Sequence, residues 1–400
     1  MMNKKIVLAF SGGLDTSFCV IYLKELGYEV HAVVVNTGGF SPAELVAIEA
    51  RAYQLEVASY TVIDETQTYY NDCVKYLIFG NVLKNATYPL SVSAERVCQA
   101  TAIANYAKKI GAAAVAHGST GAGNDQVRFD MIFNILIPDV AIITPIRDLK
   151  LSREEEIDYL AKHGVAINAE KAKYSINKGL WGTSVGGQET LTSNLYLPEE
   201  AWPTPISKTT PEVVELVFKH GEPIALNGVS MTPTKVIQEL QNLAQPFGIG
   251  RDIHVGDTII GIKGRVGFEA AAPLIIVKAH HILEKHTLTK WQLSWKEQLS
   301  TFYGNYLHEG QFHDPVMRDV EAFLASTQQT VNGKVWVELH PYRFVIQGIE
   351  SPNDLMSNAF GSYGEMNTTW TGEDVKGFSK IFGNQVMIWH KVNQQKDEAE

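Results

Sequence analysis

A strand that ends in paired glycines and opens directly onto a helix constrains this chain more than any other feature. Residues 6–10 are a short apolar run, Ser11-Gly12-Gly13-Leu14-Asp15-Thr16-Ser17 follows, and a helical pattern starts at about Thr16. A helix N-terminus presents backbone N–H groups with no partner inside the helix, and its dipole favours an anion. The glycines let the backbone approach a ligand closely and adopt positive φ. Ser11, Thr16 and Ser17 add hydroxyls, and Asp15 brings a carboxylate that suits a metal ion arriving with phosphates. A purely structural reading is a tight strand–helix turn. A bare Gly-Gly would favour that reading, but the whole Ser-Gly-Gly-x-Asp-Thr-Ser string points to a phosphate site. No lysine follows the glycines, so this is not a Gly-x-x-x-x-Gly-Lys loop, and the spacing is not Gly-x-Gly-x-x-Gly.

The segments that follow predict what surrounds this turn. Strands are expected at 30–35, 58–63, 112–116 and 140–143 as well as 6–10. Helices are expected at 16–26, 42–55, 65–82, 94–110, from about 126, and at 153–163. Ser41 with Pro42, and Ser152 with acidic residues behind it, read as helix starts. Strands alternating with helices predict an α/β domain with a doubly wound, mostly parallel sheet over residues 1–166. Ligands of such sheets bind at the carboxyl ends of the strands. From 167 to 370 the pattern changes to an α+β domain. Residues 171–211 are rich in Gly, Ser, Thr and Pro, strands are expected at 213–219 and 224–226, and strand pairs over 253–262 and 334–348. Helices are expected at 233–244, 274–302 and 314–326. Residues 371–400 read as a closing helix, over 375–392, and a charged tail.

Composition narrows the partners. The net charge is −10, from 44 acidic and 34 basic residues. That argues against nucleic acid as the main partner, which would need a basic face. Cys19, Cys73 and Cys98 are odd in number and scattered, so neither a disulfide framework nor a zinc site is implied. No apolar run reaches the roughly 18 residues of a membrane span, and the first residues enter a strand at once. A cytoplasmic protein is expected.

A second glycine-rich segment, Gly118-Ser119-Thr120-Gly121-Ala122-Gly123-Asn124-Asp125-Gln126-Val127-Arg128-Phe129, follows the strand at 112–116. It should lie on the same sheet edge as the first. Asp125 suits an ammonium, and Thr120 and Asn124 suit a carboxylate, so the set fits a zwitterion. Arg128, one turn into the helix, can reach an anion or a polar oxygen. The purely structural alternative is a βα loop with a helix cap at Asp125. A third segment, Tyr88-Pro89-Leu90-Ser91-Val92-Ser93-Ala94-Glu95-Arg96, offers a helix cap at Ser93 and a packed aromatic at Tyr88.

The first string resembles the pyrophosphate loop of ATP pyrophosphatases. The three segments together resemble argininosuccinate synthase, and the resemblance covers nearly the whole chain. It implies ATP and Mg2+ as cofactors, citrulline and aspartate as substrates, and a homotetramer assembled through the C-terminal helix. It further implies that Ala9-Phe10-Ser11-Gly12-Gly13-Leu14-Asp15-Thr16-Ser17, Val35 and Gly118 hold ATP, with Asp15 at the metal. Thr120, Asn124 and Asp125 would hold aspartate. Tyr88, Ser93, Asn124, Arg128, Ser175 and Ser184 would hold citrulline, the last two from a lid or substrate loop. Ser11, Asp15, Asp125 and Arg128 are the candidate catalytic residues.

Three departures from that family stand out. Ala122 replaces a frequent lysine. Gly256 and Phe268 align with a glutamate and a tyrosine that contact the α-amino end of citrulline. A lost carboxylate opposite an ammonium is costly, so an N-acylated citrulline (acetyl or succinyl) is an alternative acceptor, with Gly256 leaving room for the acyl group. The bland alternative is a local misalignment with Asp257 in the glutamate's place. An RNA-thiolating relative would need a reactive cysteine pair and a basic surface. A nucleotide sensor would not need the second loop.

Overall fold

The computed structural model describes residues 4–166, 174–356, 361, 363–364 and 369–397. Strands β1 (Lys4–Ala9), β2 (Tyr28–Asn36), β3 (Ser59–Asp64), β4 (Ala114–Ala116) and β5 (Ala141–Ile143) form one sheet in the order β3-β2-β1-β4-β5. Every pairing in it is parallel. The connecting helices are α1 (Leu14–Glu25), α2 (Pro42–Gln54), α3 (Thr66–Tyr69), α4 (Lys75–Phe79), α5 (Ser93–Ile110), α6 (Asp125–Leu136), α7 (Pro145–Leu149) and α8 (Arg153–Lys162).

Both sheet faces are covered, as a parallel sheet requires. Val7, Val33 and Val115 pack with Val97 and Ile103 of α5 and Phe133 of α6. Ile6, Leu8 and Val34 pack with Phe18 and Leu23 of α1, Ala52 of α2 and Leu160 of α8. Ser41 caps α2 reciprocally with Glu44, and Ser152 caps α8 with Glu155. The expected helix at 65–82 is broken by a π-turn over Tyr70–Val74 between α3 and α4. Strand order reverses at β1, which lies between β2 and β4. The loops leaving β1 and β4 therefore diverge and open a crevice at their carboxyl ends, where such sheets bind ligands.

The rest of the first compact unit, Met1–Asn353, carries two antiparallel sheets. One contains β6 (Ser175–Gly179), β7 (Gly182–Gly186), β11 (Arg251–Asp257) and β12 (Lys263–Glu269) in the order β11-β12-β7-β6. The other contains β8 (Glu212–Lys219), β9 (Glu222–Leu226), β10 (Val229–Ser230), β13 (Gly333–His340) and β14 (Arg343–Glu350) in the order β10-β9-β8-β13-β14. Helices α9 (Pro233–Ala244), α10 (Ala271–Thr287), α11 (Lys290–His308) and α12 (Pro315–Thr327) belong to the same unit. Position 166 thus separates two sheet systems within one compact unit. The single helix expected over 274–302 is two, because Leu288 is extended and Thr289 caps α11 with Gln292. The second unit, Asp354–Glu400, contains α13 (Gly372–Phe382) and α14 (Asn384–Asp397), so the closing helix is broken at Gly383.

Candidate active site

A cavity of about 1250 Å³ opens at the β1/β4 crevice. Its first wall is the loop after β1. Gly12 takes φ +74°, which lets the chain turn into α1. Thr16 donates its hydroxyl to the Gly13 carbonyl at 3.4 Å, and its Oγ1 lies 3.2 Å from Ser11 Oγ. Gly118, at the end of β4, meets this loop directly: a Cβ there would stand 3.2 Å from Asp15 Cβ and 3.3 Å from Thr16 Cγ2. The two glycine-rich segments are packed edge to edge, as their positions after β1 and β4 predict.

Asp15 faces Glu156 of α8, which is almost fully buried. Burial raises the Asp15 carboxyl above its ordinary range. Burial and the neighbouring Asp15 push Glu156 up to about 8. Among the described residues no group of three or more His, Cys, Asp or Glu side chains forms a metal cage. A single loop carboxylate fits a cation carried by the phosphates themselves.

The second wall is an ion-pair lattice. Both oxygens of Asp125 are engaged: Arg96 donates Nε to Oδ2 at 2.9 Å, and Arg128 donates Nη1 to Oδ1 at 2.7 Å. Burial alone would raise Asp125, but Arg96 and Arg128 outweigh it and hold the carboxyl at about 2. Arg96 also donates to Gln99 and to Asn177 of β6. Arg128 is 3% exposed and donates Nε to the His308 carbonyl at 2.8 Å. Asp125 is therefore the shared partner of two guanidiniums and still lines the cavity. The helix cap lies at Asn124 rather than Asp125. His117 and Arg147 both bind Asp130, and Gln126 reaches back to the Gly121 and Gly123 carbonyls, holding the loop in shape.

The third wall comes from the antiparallel sheets. The β6–β7 turn drives Trp181 into the core, where its indole donates to the Pro89 carbonyl at 2.9 Å. Leu180 N–H bonds the Thr37 carbonyl, and a Cβ on Gly39 would stand 2.2 Å from the Lys178 carbonyl oxygen. Ser175 and Ser184 accordingly lie on strands β6 and β7 and not on a lid, a correction to the loop expected there. The tip of the β11–β12 hairpin crosses to the second loop, where Ile259 N–H donates to Asn124 Oδ1 at 2.8 Å.

Most of the expected residues meet at this cavity. Ala9, Phe10, Ser11, Gly13, Leu14, Asp15, Thr16, Val35 and Gly118 line it. So do Tyr88, Ser93, Thr120, Asn124, Asp125, Arg128, Ser175, Ser184 and Gly256. Three do not. Gly12 packs against Ile48, and Ser17 is fully buried inside α1. Phe268, also fully buried, lies behind Tyr88 with ring centroids 5.4 Å apart, so its expected contact with substrate is replaced by packing. Gly256 does not leave a vacancy either, because the His254 ring lies over it. Arg96, Asn177, His254 and His308 also line the cavity, without a sequence signal of their own. Arg96 lies in the Tyr88–Arg96 segment, but a partner 29 positions away gives no local spacing signal.

A parallel sheet with two glycine-rich loops meeting at its reversal point is the architecture of a nucleotide-binding α/β enzyme. Residues 5–166 match the family model "Arginosuccinate synthase N-terminal HUP domain", and residues 174–389 match "Arginosuccinate synthase C-terminal domain". An argininosuccinate synthase of Xylella fastidiosa is 37% identical over 406 residues, covering 98% of this chain and 99% of the relative. One from Methanocaldococcus jannaschii is 36% identical over 399 residues, covering 99% and 100%. One from Pyrococcus furiosus is 35% identical over 393 residues, covering 97% and 95%. The chain belongs to the argininosuccinate synthase family, a family of ligases.

Proposed function

We infer that the enzyme condenses citrulline with aspartate, using ATP, and releases argininosuccinate, AMP and pyrophosphate, a step of arginine biosynthesis. The observation that supports this most is the contact of Gly118 with Asp15 and Thr16. It puts a phosphate loop and an amino-acid loop on one cavity, as adenylyl transfer followed by amine attack requires.

The ureido oxygen of citrulline attacks the α-phosphorus of ATP and pyrophosphate leaves. The aspartate amine then attacks the ureido carbon of the citrullyl-adenylate, AMP leaves with the oxygen, and the amine proton passes to solvent. Ser11 and the loop N–H groups hold the phosphates. Asp15 is the loop carboxylate that would hold Mg2+, which would supply charge neutralisation to the triphosphate. Arg96 and Arg128, fixed by Asp125, keep the cavity wall cationic and rigid. Catalysis here is mainly positioning and charge stabilisation.

The test is pyrophosphate release. ATP with citrulline and aspartate gives stoichiometric AMP, pyrophosphate and argininosuccinate, and omission of aspartate stops turnover. No release with any citrulline acceptor would sink the synthase reading and leave the nucleotide sensor. An RNA-thiolating activity is disfavoured because Cys19 and Cys73 are buried.

The assembly and location expected from the family form part of the same proposal. The C-terminal unit exposes the apolar side chains Phe378, Ile381, Phe382, Trp389 and Val392, which a partner subunit would cover. We expect a homotetramer by light scattering, and a chain ending at residue 370 to run as a smaller species. No described helix is long and apolar enough to cross a membrane, and a cytoplasmic location is proposed.

A further inference from the structure

The acceptor end of the cavity differs from its phosphate end in charge. His254 of β11 stacks on Tyr88, with ring centroids 5.0 Å apart and planes 22° from parallel. It lies over Gly256, two residues along the same strand face, where a Cβ would stand 2.6 Å from Nε2. The ring lines the cavity, is 5% exposed, and its Nδ1 is buried with no hydrogen-bond partner.

The charged groups around it are mostly cationic. Lys84 approaches from the segment before Tyr88 and donates to Asn305 at 2.9 Å. Arg128 of α6 and His308 of α11 lie at the same end, with Arg128 Nη2 3.4 Å from His308 Nδ1. Burial and Lys84 hold His254 below its ordinary range, and burial, Arg128 and Lys84 hold His308 down to about 2, so both rings are neutral. Of the carboxylates at this end, Asp125 is bound by Arg96 and Arg128, Glu95 is paired with Arg96, and the exposed Asp257 is paired with Lys263 at 2.6 Å. The exposed Glu309, just past α11, acts on Lys84.

We propose that His254 is the specificity residue for the α-nitrogen of the acceptor, and that it receives this nitrogen as an uncharged N–H donor. Two forms share that chemistry: an N-acylated citrulline, and free citrulline with its amine deprotonated. The proposal rests on the citrulline-ligase reading above. A neutral imidazole accepts one N–H bond, whereas an ammonium there would add a further positive charge beside Lys84 and Arg128, opposed outside the existing ion pairs only by the exposed Glu309. Gly256 makes the arrangement possible, because a side chain there would displace the ring.

The experiment compares kcat/KM for L-citrulline and N-acetyl-L-citrulline from pH 6 to 9, with saturating ATP and aspartate. With free citrulline the value rises about tenfold per pH unit below the amine pKa. With N-acetylcitrulline it is flat, and at pH 7 at least tenfold higher if the acylated form is the one used. The double variant His254→Val with Gly256→Glu restores a carboxylate. Its free-citrulline profile becomes flat and its N-acetylcitrulline value falls at least tenfold. ATP-dependent thermal protection of the variant checks that the phosphate end is intact. A flat free-citrulline profile in the unaltered enzyme, at a rate equal to or above that of N-acetylcitrulline, overturns the proposal. Absence of pyrophosphate release with both acceptors is a different result and overturns the ligase reading itself.

Discussion

Replacement of Asp125 by alanine lowers turnover by about a hundredfold or more, since misplacing groups that align substrates by even about 1 Å costs that much. Asp125 is the common partner of Arg96 and Arg128, both largely buried. Removing it leaves two guanidiniums facing each other without an anion. Breaking a buried pair this way costs about 3–5 kcal/mol, and the low end applies because Asp125 is 35% exposed to the cavity and partly screened. Thermal or urea unfolding of the variant measures the loss. Acid titration gives an independent check with a defined sign. The folded-state pKa of about 2 lies below the ordinary 3.8, so the contribution is fully present above 3.8 and is lost as pH falls toward 2. Asp125→Asn lacks that acid limb. An Asp125→Ala enzyme with unchanged turnover would show that the arginine lattice does not organise the site.

Gly39→Ala is the second large effect. Its Cβ would stand 2.2 Å from the Lys178 carbonyl oxygen and 2.5 Å from the Lys178 carbonyl carbon. Both are backbone atoms of β6, so no rotamer change relieves the clash. The β6–β7 hairpin must move off the end of β2, taking Ser175, Asn177 and Ser184 with it. Overpacking of this kind costs about 1–3 kcal/mol or more. The expected result is a lower melting temperature together with a rise in KM for the acceptor of at least about tenfold, which corresponds to about 1.4 kcal/mol of lost binding. Gly348→Ala, where the added Cβ meets nothing within 4 Å, is the control and leaves both measurements unchanged. A Gly39→Ala enzyme with unaltered acceptor KM would mean that the hairpin docks independently of this contact.

The parallel sheet and both loops are legible in the sequence because each is a local signal: apolar runs, glycines and helix starts within a dozen residues of one another. Strands β6 and β7 are not, since segments built of Ser, Asn, Lys, Thr and Gly carry no apolar alternation; their identity comes from pairing with β12 and burial of Trp181. Arg96 is invisible for a related reason, as its partners Asp125 and Asn177 are set by the fold and not by spacing. Gly256 shows the opposite case. It stood out by its residue type, but the open space inferred from it is filled by His254. Period-2 alternation along β11, which puts 254 and 256 on one face, was the available clue.

The contact between Ile259 and Asn124 bears on how the cavity tells its ligands apart. An asparagine amide is ambidextrous, since its oxygen accepts and its nitrogen donates, and a half-turn exchanges the two. With Oδ1 held by a backbone N–H 135 positions away, the amide would present Nδ2 to any ligand and favour oxygen acceptors. Without that bond the polarity would be released, and Asn124 could meet an ammonium as readily as a carboxylate. Fidelity at this residue therefore depends on a strand turn remote in sequence, and the exchange rate of the Ile259 amide hydrogen is its direct gauge.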